Sequence, residues 1–166
     1  MGKKTKKSKG KLSFKEAVEQ TPDISHGYRE GLYALGDDSK RVIIPNTIRI
    51  DGSVDIDKET VHLYPSDNRW DYAFACEGKV YYVEVHSAIT SEVRTVINKL
   101  LWLKRWLASS APELVRLTDY GESPFYWIQS SSFQISKHHQ QYKMAISKKI
   151  KPIRVWDYNT IVNKKD

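Results

Sequence analysis

The sequence predicts an α/β (α+β) domain in which helices cover the faces of a central mixed β-sheet. Three stretches carry that expectation. Arg69–Ala88, RWDYAFACEGKVYYVEVHSA, has two arms of apolar and aromatic residues around Glu77-Gly78, the pattern of a hairpin with a two-residue turn. Ser91–Leu107 follows with apolar residues at helical spacing, and Phe125–Ser130 (FYWIQS) is a short apolar strand. A strand pair, a seventeen-residue helix and another strand in that order require a crossover. The last strand is therefore expected to lie parallel to an earlier one in the same sheet.

Taken in order, residues 1–11 read as a disordered lysine-rich tail and 12–163 as a single domain. A first helix is expected over Pro22–Leu35. Thr21 can cap it, Pro22 suits its first turn, and Ile24, Tyr28, Leu32 and Leu35 recur at helical spacing before Gly36-Asp37-Asp38. Arg41–Ile44 and Thr47–Val54 read as extended, separated by Pro45-Asn46. Pro65–Asn68 is a loop leading into the hairpin. In Ser91–Leu107 the expected inward stripe is Val93, Val96, Ile97, Leu100, Leu101 and Leu107. Thr90 or Ser91 stands as the cap, Glu92 suits the helix dipole, and Lys99 falls near the margin of the stripe. Ile135–Ile150 is expected to be helical and Ile153–Tyr158 to be a final strand.

Composition narrows the class. No run approaches the length of a membrane span, and the lysine-rich start lacks the apolar core of a signal peptide. The single cysteine, Cys76, rules out an internal disulfide and fits a reducing, cytoplasmic compartment. It sits within an apolar strand arm, where a buried, inert thiol is expected. The net charge of +7 is largely terminal, since residues 3–11 hold six lysines and no acid. With residues 3–11 and 164–166 set aside, 19 basic and 19 acidic residues remain. Within the body, residues 137–154 carry six basic groups and no acidic ones, among them Lys148, Lys149 and Lys151. That face points to a polyanionic partner, while the tail suits either non-specific phosphate contacts or solubility.

The chemistry-bearing cluster lies in the hairpin. If Glu77 and Gly78 form the turn, Cys76 faces Lys79 and Asp71 lies directly opposite Glu84. Opposed side chains share a face with Cβ atoms roughly 5 Å apart, so two carboxylates there repel unless a proton or cation lies between them. The period of two places His86 on the same face. Singly, each residue has an ordinary reading. Asp71 could pair with Arg69, Glu84 with Arg94 or Lys79, and His86 could be a hydrogen-bonded strand histidine. Together, three polar groups on one face of an aromatic-rich strand pair suggest a site. His138-His139 with His62 is a weaker metal candidate, because adjacent histidines point in different directions.

The α-β-β-β-α-β order, with Asp71-x12-Glu84-x-His86 in the hairpin, resembles the PD-(D/E)xK nuclease superfamily and its restriction-endonuclease-like fold. The resemblance covers roughly residues 21–130 and departs at His86, where the motif has Lys. It implies metal-dependent hydrolysis of phosphodiesters, in DNA ahead of RNA. Asp71, Glu84 and the Val85 carbonyl would bind Mg²⁺ or Mn²⁺, with Glu30 as a further acid. Hard carboxylate oxygens suit such cations, which would relieve the repulsion between the two acids. For His86 three readings stand: it replaces the Lys functionally; Lys99 or Arg94 from the next helix has taken over; or the site is inactive and the fold binds nucleic acid or a protein partner. Lys99 and Arg94, with Lys148, Lys149 and Lys151, are the candidate nucleic-acid contacts. Cleavage of both DNA strands would favour a homodimer.

Overall fold

The computed structural model describes residues 10–164. Helix α1 (Phe14–Glu19) comes first, followed by strands β1 (Val42–Ile43) and β2 (Ile50–Asp55) and helix α2 (Ile56–Thr60). The hairpin consists of β3 (Tyr72–Cys76) and β4 (Lys79–His86). Helix α3 (Val93–Ser110), α4 (Pro112–Arg116) and strand β5 (Phe125–Gln129) come next. Helix α5 (Gln140–Ser147), strand β6 (Trp156–Asp157) and helix α6 (Tyr158–Ile161) complete the chain. The main sheet has the order β2-β3-β4-β5, antiparallel across its first three strands and parallel between β4 and β5, with α3 as the crossover. This is the expected mixed sheet flanked by helices. Among the described residues no helix is long and apolar enough to cross a membrane.

Glu77 (φ 48°) and Gly78 (φ 76°) both have positive φ, as a primed hairpin turn requires. Cys76 pairs with Lys79, and the register runs on to Tyr72 opposite Val83. Glu77 tolerates the left-handed backbone because its carboxylate accepts the Arg49 N–H at 2.7 Å and its own N–H reaches the Arg49 carbonyl. The Gly78 N–H donates to Asp51 at 2.7 Å, which fastens the turn to β2.

Each face of the sheet buries its own cluster. On one, Ala73, Ala75, Val80, Tyr82, Phe125 and Trp127 pack against the inner side of α3. On the other, Phe74, Cys76, Tyr81, Val83 and Ile128 surround Trp156. Each large side chain withdrawn from water in this way contributes about 1.5–3 kcal/mol. Cys76 is buried and burial pushes its thiol up to about 12, which matches the inert thiol expected. On α3 the buried residues are Val93, Val96, Ile97, Leu100, Leu103 and Leu107, with Trp102 and Trp106 at the edge. Leu101, expected inward, is 39% exposed, because a residue next to Leu100 is rotated about 100° around the helix.

The expected helix over Pro22–Leu35 does not form. The segment has a 3₁₀ turn at Pro22–Ile24, an antiparallel bridge from Arg29 to Ser53, and a kinked 3₁₀ run at Tyr33–Arg41. Gly31 (φ 51°) and Gly36 (φ 53°) take left-handed conformations that end a helical path, and three glycines within ten residues weaken helix propensity. Thr21 accordingly caps nothing and donates to the Ala17 carbonyl instead. The first helix is earlier, at Phe14–Glu19, where the Ser13 hydroxyl accepts the Glu16 N–H and donates to its carboxylate. The helix expected over Ile135–Ile150 shortens to Gln140–Ser147, and the strand over Ile153–Tyr158 to Trp156–Asp157. Most of the tail, residues 1–9, lies outside the described residues.

Candidate active site

Asp71 stands immediately before β3, one residue beyond the last pair of the hairpin, Tyr72 opposite Val83. Its N–H donates to Glu84 Oε2 at 2.9 Å, and its Oδ2 accepts the Val85 N–H at 3.1 Å. The two carboxylates are therefore clamped on one face, as the pairing requires. Trp70, fully buried, anchors this corner through its indole N–H to the Tyr72 carbonyl and an edge contact with Phe125. The carbonyl of Asp71 also accepts the N–H groups of Ile56 and Asp57, which fixes the backbone at the start of α2. Arg69, the ordinary partner expected for Asp71, pairs instead with Asp57 at 2.8 Å. Lys79 pairs with Asp119, not Glu84.

The cation between the carboxylates comes from α3. Lys99 Nζ lies 3.5 Å from Asp71 Oδ1 and makes a close ion pair with Glu84 Oε1. Its position follows from helix geometry. Val96, Leu100 and Leu103 bury into the sheet, so the lysine at the edge of that stripe lays its stem along the apolar surface and reaches the strand pair with its head. Glu84 is fully buried, whereas the Asp71 and Lys99 side chains keep 20% and 17% of their exposure.

The electrostatics follow from that burial. Withdrawal from water, with repulsion from Glu84 added, pushes the Asp71 carboxyl up to about 7 against the opposing pull of Lys99 and the Val85 N–H. Burial works against the Lys99 charge, but Glu84 and Asp71 outweigh it and raise the ammonium above its ordinary value. His86 lies at the outer rim. Its Nδ1 is 3.6 Å from Glu84 Oε1, and its Nε2 is 2.9 Å from Glu92 Oε2. The Glu84 carboxylate, with Glu92 beside it, raises the imidazole against burial. Of the two contacts, only Glu92 is at hydrogen-bond distance, so Glu84 acts chiefly through its charge. The His86 carbonyl is used structurally, accepting the Ser130 N–H and the Trp127 indole N–H.

Two carboxylates against one ammonium leave the inner cluster one negative charge in excess once Asp71 ionises. That is a cation-attracting arrangement. The Val85 N–H faces Asp71, and in an extended strand a residue's N–H and C=O point to the same side, so its carbonyl projects toward the Asp71 edge as well. Two carboxylates and a carbonyl suffice for Mg²⁺ or Mn²⁺, which retain several waters. Among the described residues no three His, Cys, Asp or Glu side chains converge as a metal cage. Glu30 is exposed in the irregular segment that replaces the expected helix, and no hydrogen bond or ion pair joins it to Asp71 or Glu84 among the described residues. The pair His138-His139 forms no metal group; His139 Nδ1 accepts the Gln141 N–H and caps α5.

Arg94, five residues before Lys99 and so on another side of α3, is exposed and makes no ion pair among the described residues. Lys148, Lys149 and Lys151 are exposed near the end of α5, and none of them pairs with Asp71 or Glu84 among the described residues. Glu92 is the participant that sequence reasoning did not assign to the site. Its separation from Lys99 by seven residues, almost two helical turns, is the signal that puts both on one side of α3. No family model, curated protein or solved structure matches the chain, so the reading of this site rests on its geometry.

Proposed function

We propose that the protein is a divalent-metal-dependent nuclease of PD-(D/E)xK type in which Lys99, from the helix after the hairpin, takes the place of the motif lysine. One observation carries the proposal. The Lys99 ammonium lies between Asp71 Oδ1 and Glu84 Oε1, where the two acids need a positive charge. The position after Val85 is His86, which is turned toward Glu92.

The roles follow from the environment of each group. Asp71, Glu84 and the Val85 carbonyl would hold Mg²⁺ or Mn²⁺. The ion would polarise the scissile phosphate and lower the pKa of a bound water. Lys99, on a flexible stem, would present its ammonium to a phosphate oxygen or to the attacking water. His86, hydrogen-bonded to Glu92, stands beside Glu84 at the rim of the site. The substrate class is nucleic acid, DNA ahead of RNA. A second reading has its own support. Lys99 already neutralises much of the acid pair, so the triad would also serve as a static ion pair in a binding module without catalysis.

The deciding experiment incubates purified protein and Glu84→Gln with supercoiled plasmid, linear duplex and single strands, with and without Mn²⁺. Metal-stimulated cleavage by the native protein that disappears in Glu84→Gln supports the nuclease. Cleavage that is unchanged in Glu84→Gln overturns it, and absence of both cleavage and a metal-dependent Tm rise favours the binding module.

A further inference from the structure

A pocket of about 430 Å³ lies between the second half of α3, the loop before β5 and the end of α5. Its size falls within the range of small-molecule sites, roughly 300–1,000 Å³. Leu107 and Phe125, both buried in the core, close its floor beside Val115, and the exposed aromatic ring is that of Tyr120, 52% exposed, at its mouth. Three ammonium groups border it: Lys104, Lys148 and Lys149. The Lys104 Nζ sits 5.5 Å from the centroid of the Phe125 ring. The one acid on the lining, Glu122, is drawn toward Lys164 at 3.4 Å.

Lys149 is held there by a specific backbone device. Helix α5 ends with the Ile150 N–H on the Ala145 carbonyl and the Lys149 N–H on the Ile146 carbonyl. That arrangement puts the first of the two donor residues in the left-handed conformation, a position usually taken by glycine. Here it is Lys149, with φ 55°. The buried Ile150 locks the turn, so the strained residue is fixed at the pocket edge rather than placed on a free tail.

We propose that this pocket binds one unpaired nucleotide of a nucleic-acid strand, with the base stacked on the exposed Tyr120 ring and the flanking phosphates on Lys104, Lys148 and Lys149. An apolar floor with an aromatic ring offers stacking to any base, and lysine heads around it suit phosphates of any sequence. A purely aliphatic anion would leave the aromatic surface unused, and a neutral aromatic would leave three cations without partners. Phe125, on the pocket floor, pairs with Tyr82 of β4, two residues before Glu84 on that strand. The assignment gives single-stranded segments a preferred grip on the protein. It rests on nucleic acid being the substrate class proposed above, but not on cleavage.

The test is metal-free binding in EDTA, measured by fluorescence anisotropy with a labelled dT12 strand, a blunt duplex of equal length and a poly-Glu peptide. Native protein should bind dT12 at least tenfold more tightly than the duplex or the peptide. Tyr120→Ala, which removes the exposed ring at the mouth, should lower dT12 affinity at least tenfold without changing charge. Lys148→Ala with Lys149→Ala should do the same and flatten the logarithmic salt slope by about 1.4, at about 0.7 for each phosphate no longer neutralised. Full dT12 affinity in Tyr120→Ala, with native circular dichroism and Tm, overturns the pocket assignment, as does equal binding of the peptide. Pocket-dependent binding by a protein that cleaves nothing would instead overturn the nuclease reading and leave the pocket standing.

Discussion

Replacing Lys99 with methionine keeps the stem and removes the charge that holds Asp71 and Glu84 together. Glu84 is fully buried and Asp71 largely so; without the ammonium the two carboxylates face one another in a medium that solvates neither well. Removing one partner of a buried ion pair costs about 3–5 kcal/mol. The remaining exposure of Asp71 and a shift of its proton equilibrium place the expected loss at the lower end, about 3 kcal/mol. At about 2–4 °C per kcal/mol for a chain of this size, Tm should fall by roughly 10 °C at pH 7.5. The cost should shrink at pH 5, where Asp71 takes a proton and the repulsion disappears. Because the Asp71 pKa is raised in the folded state to about 7, from 3.8, its contribution to stability is complete below about pH 4 and lost as pH rises through about 7. Lys99→Met, by removing the charge that opposes the rise, should carry that decline to higher pH. Mn²⁺ should restore part of the lost stability, since a cation bound to the folded state replaces the missing charge. The assay is urea unfolding at pH 5 and 7.5, in EDTA and in Mn²⁺, with Lys99→Met, Glu84→Gln and the double variant. A loss below 0.5 kcal/mol at pH 7.5, or effects of Lys99 and Glu84 that simply add, would refute the coupled triad.

Three further outcomes follow from the same geometry. Metal affinity should fall about tenfold per pH unit below about 7 as Asp71 protonates, which calorimetric titration with Mn²⁺ at pH 7.5, 6.5 and 5.5 would measure; a flat profile would argue against Asp71 as a ligand. Glu92→Gln should lower the His86 imidazole pKa, read by NMR, because the contact at 2.9 Å stabilises the charged ring. The stability this ring contributes is complete below its unfolded value, near 6.5, and lost as pH rises through its raised folded value; Glu92→Gln should move that loss to lower pH. Gly52→Ala should destabilise the fold by about 2 kcal/mol or more in thermal unfolding, since φ is 141° and an added Cβ would come within 2.3 Å of the Tyr28 ring and 2.9 Å of the Arg29 carbonyl. A smaller loss would mean that the bulge between Ile50 and Gly52 can relax.

Much of the sheet was legible because its signals are local. The two residues Glu77-Gly78 set the hairpin register, and register places Asp71 opposite Glu84 without further information. The spacing of Val93, Val96, Leu100 and Leu107 announced α3, and its position after β4 announced a parallel β5. Apolar spacing over Pro22–Leu35 points to a helix there, but Gly27, Gly31 and Gly36 oppose it and the segment does not form one. The capping box Ser13-x-x-Glu16 was written in the sequence and marked the true one.

What the sequence by itself determined is the pair of opposed acids and their need for a positive charge. Only the tertiary structure chose among His86, Arg94 and Lys99, because that choice depends on how α3 is rotated and seated over the sheet. Burial of Val96, Leu100 and Leu103 sets the rotation; it turns Lys99 inward to the acids and leaves Arg94 in solvent. His86 shares the strand face, yet Glu92 at the start of the same helix draws its ring to the rim. A period of two along a strand can say which side a residue faces, but the partner it meets there belongs to another element.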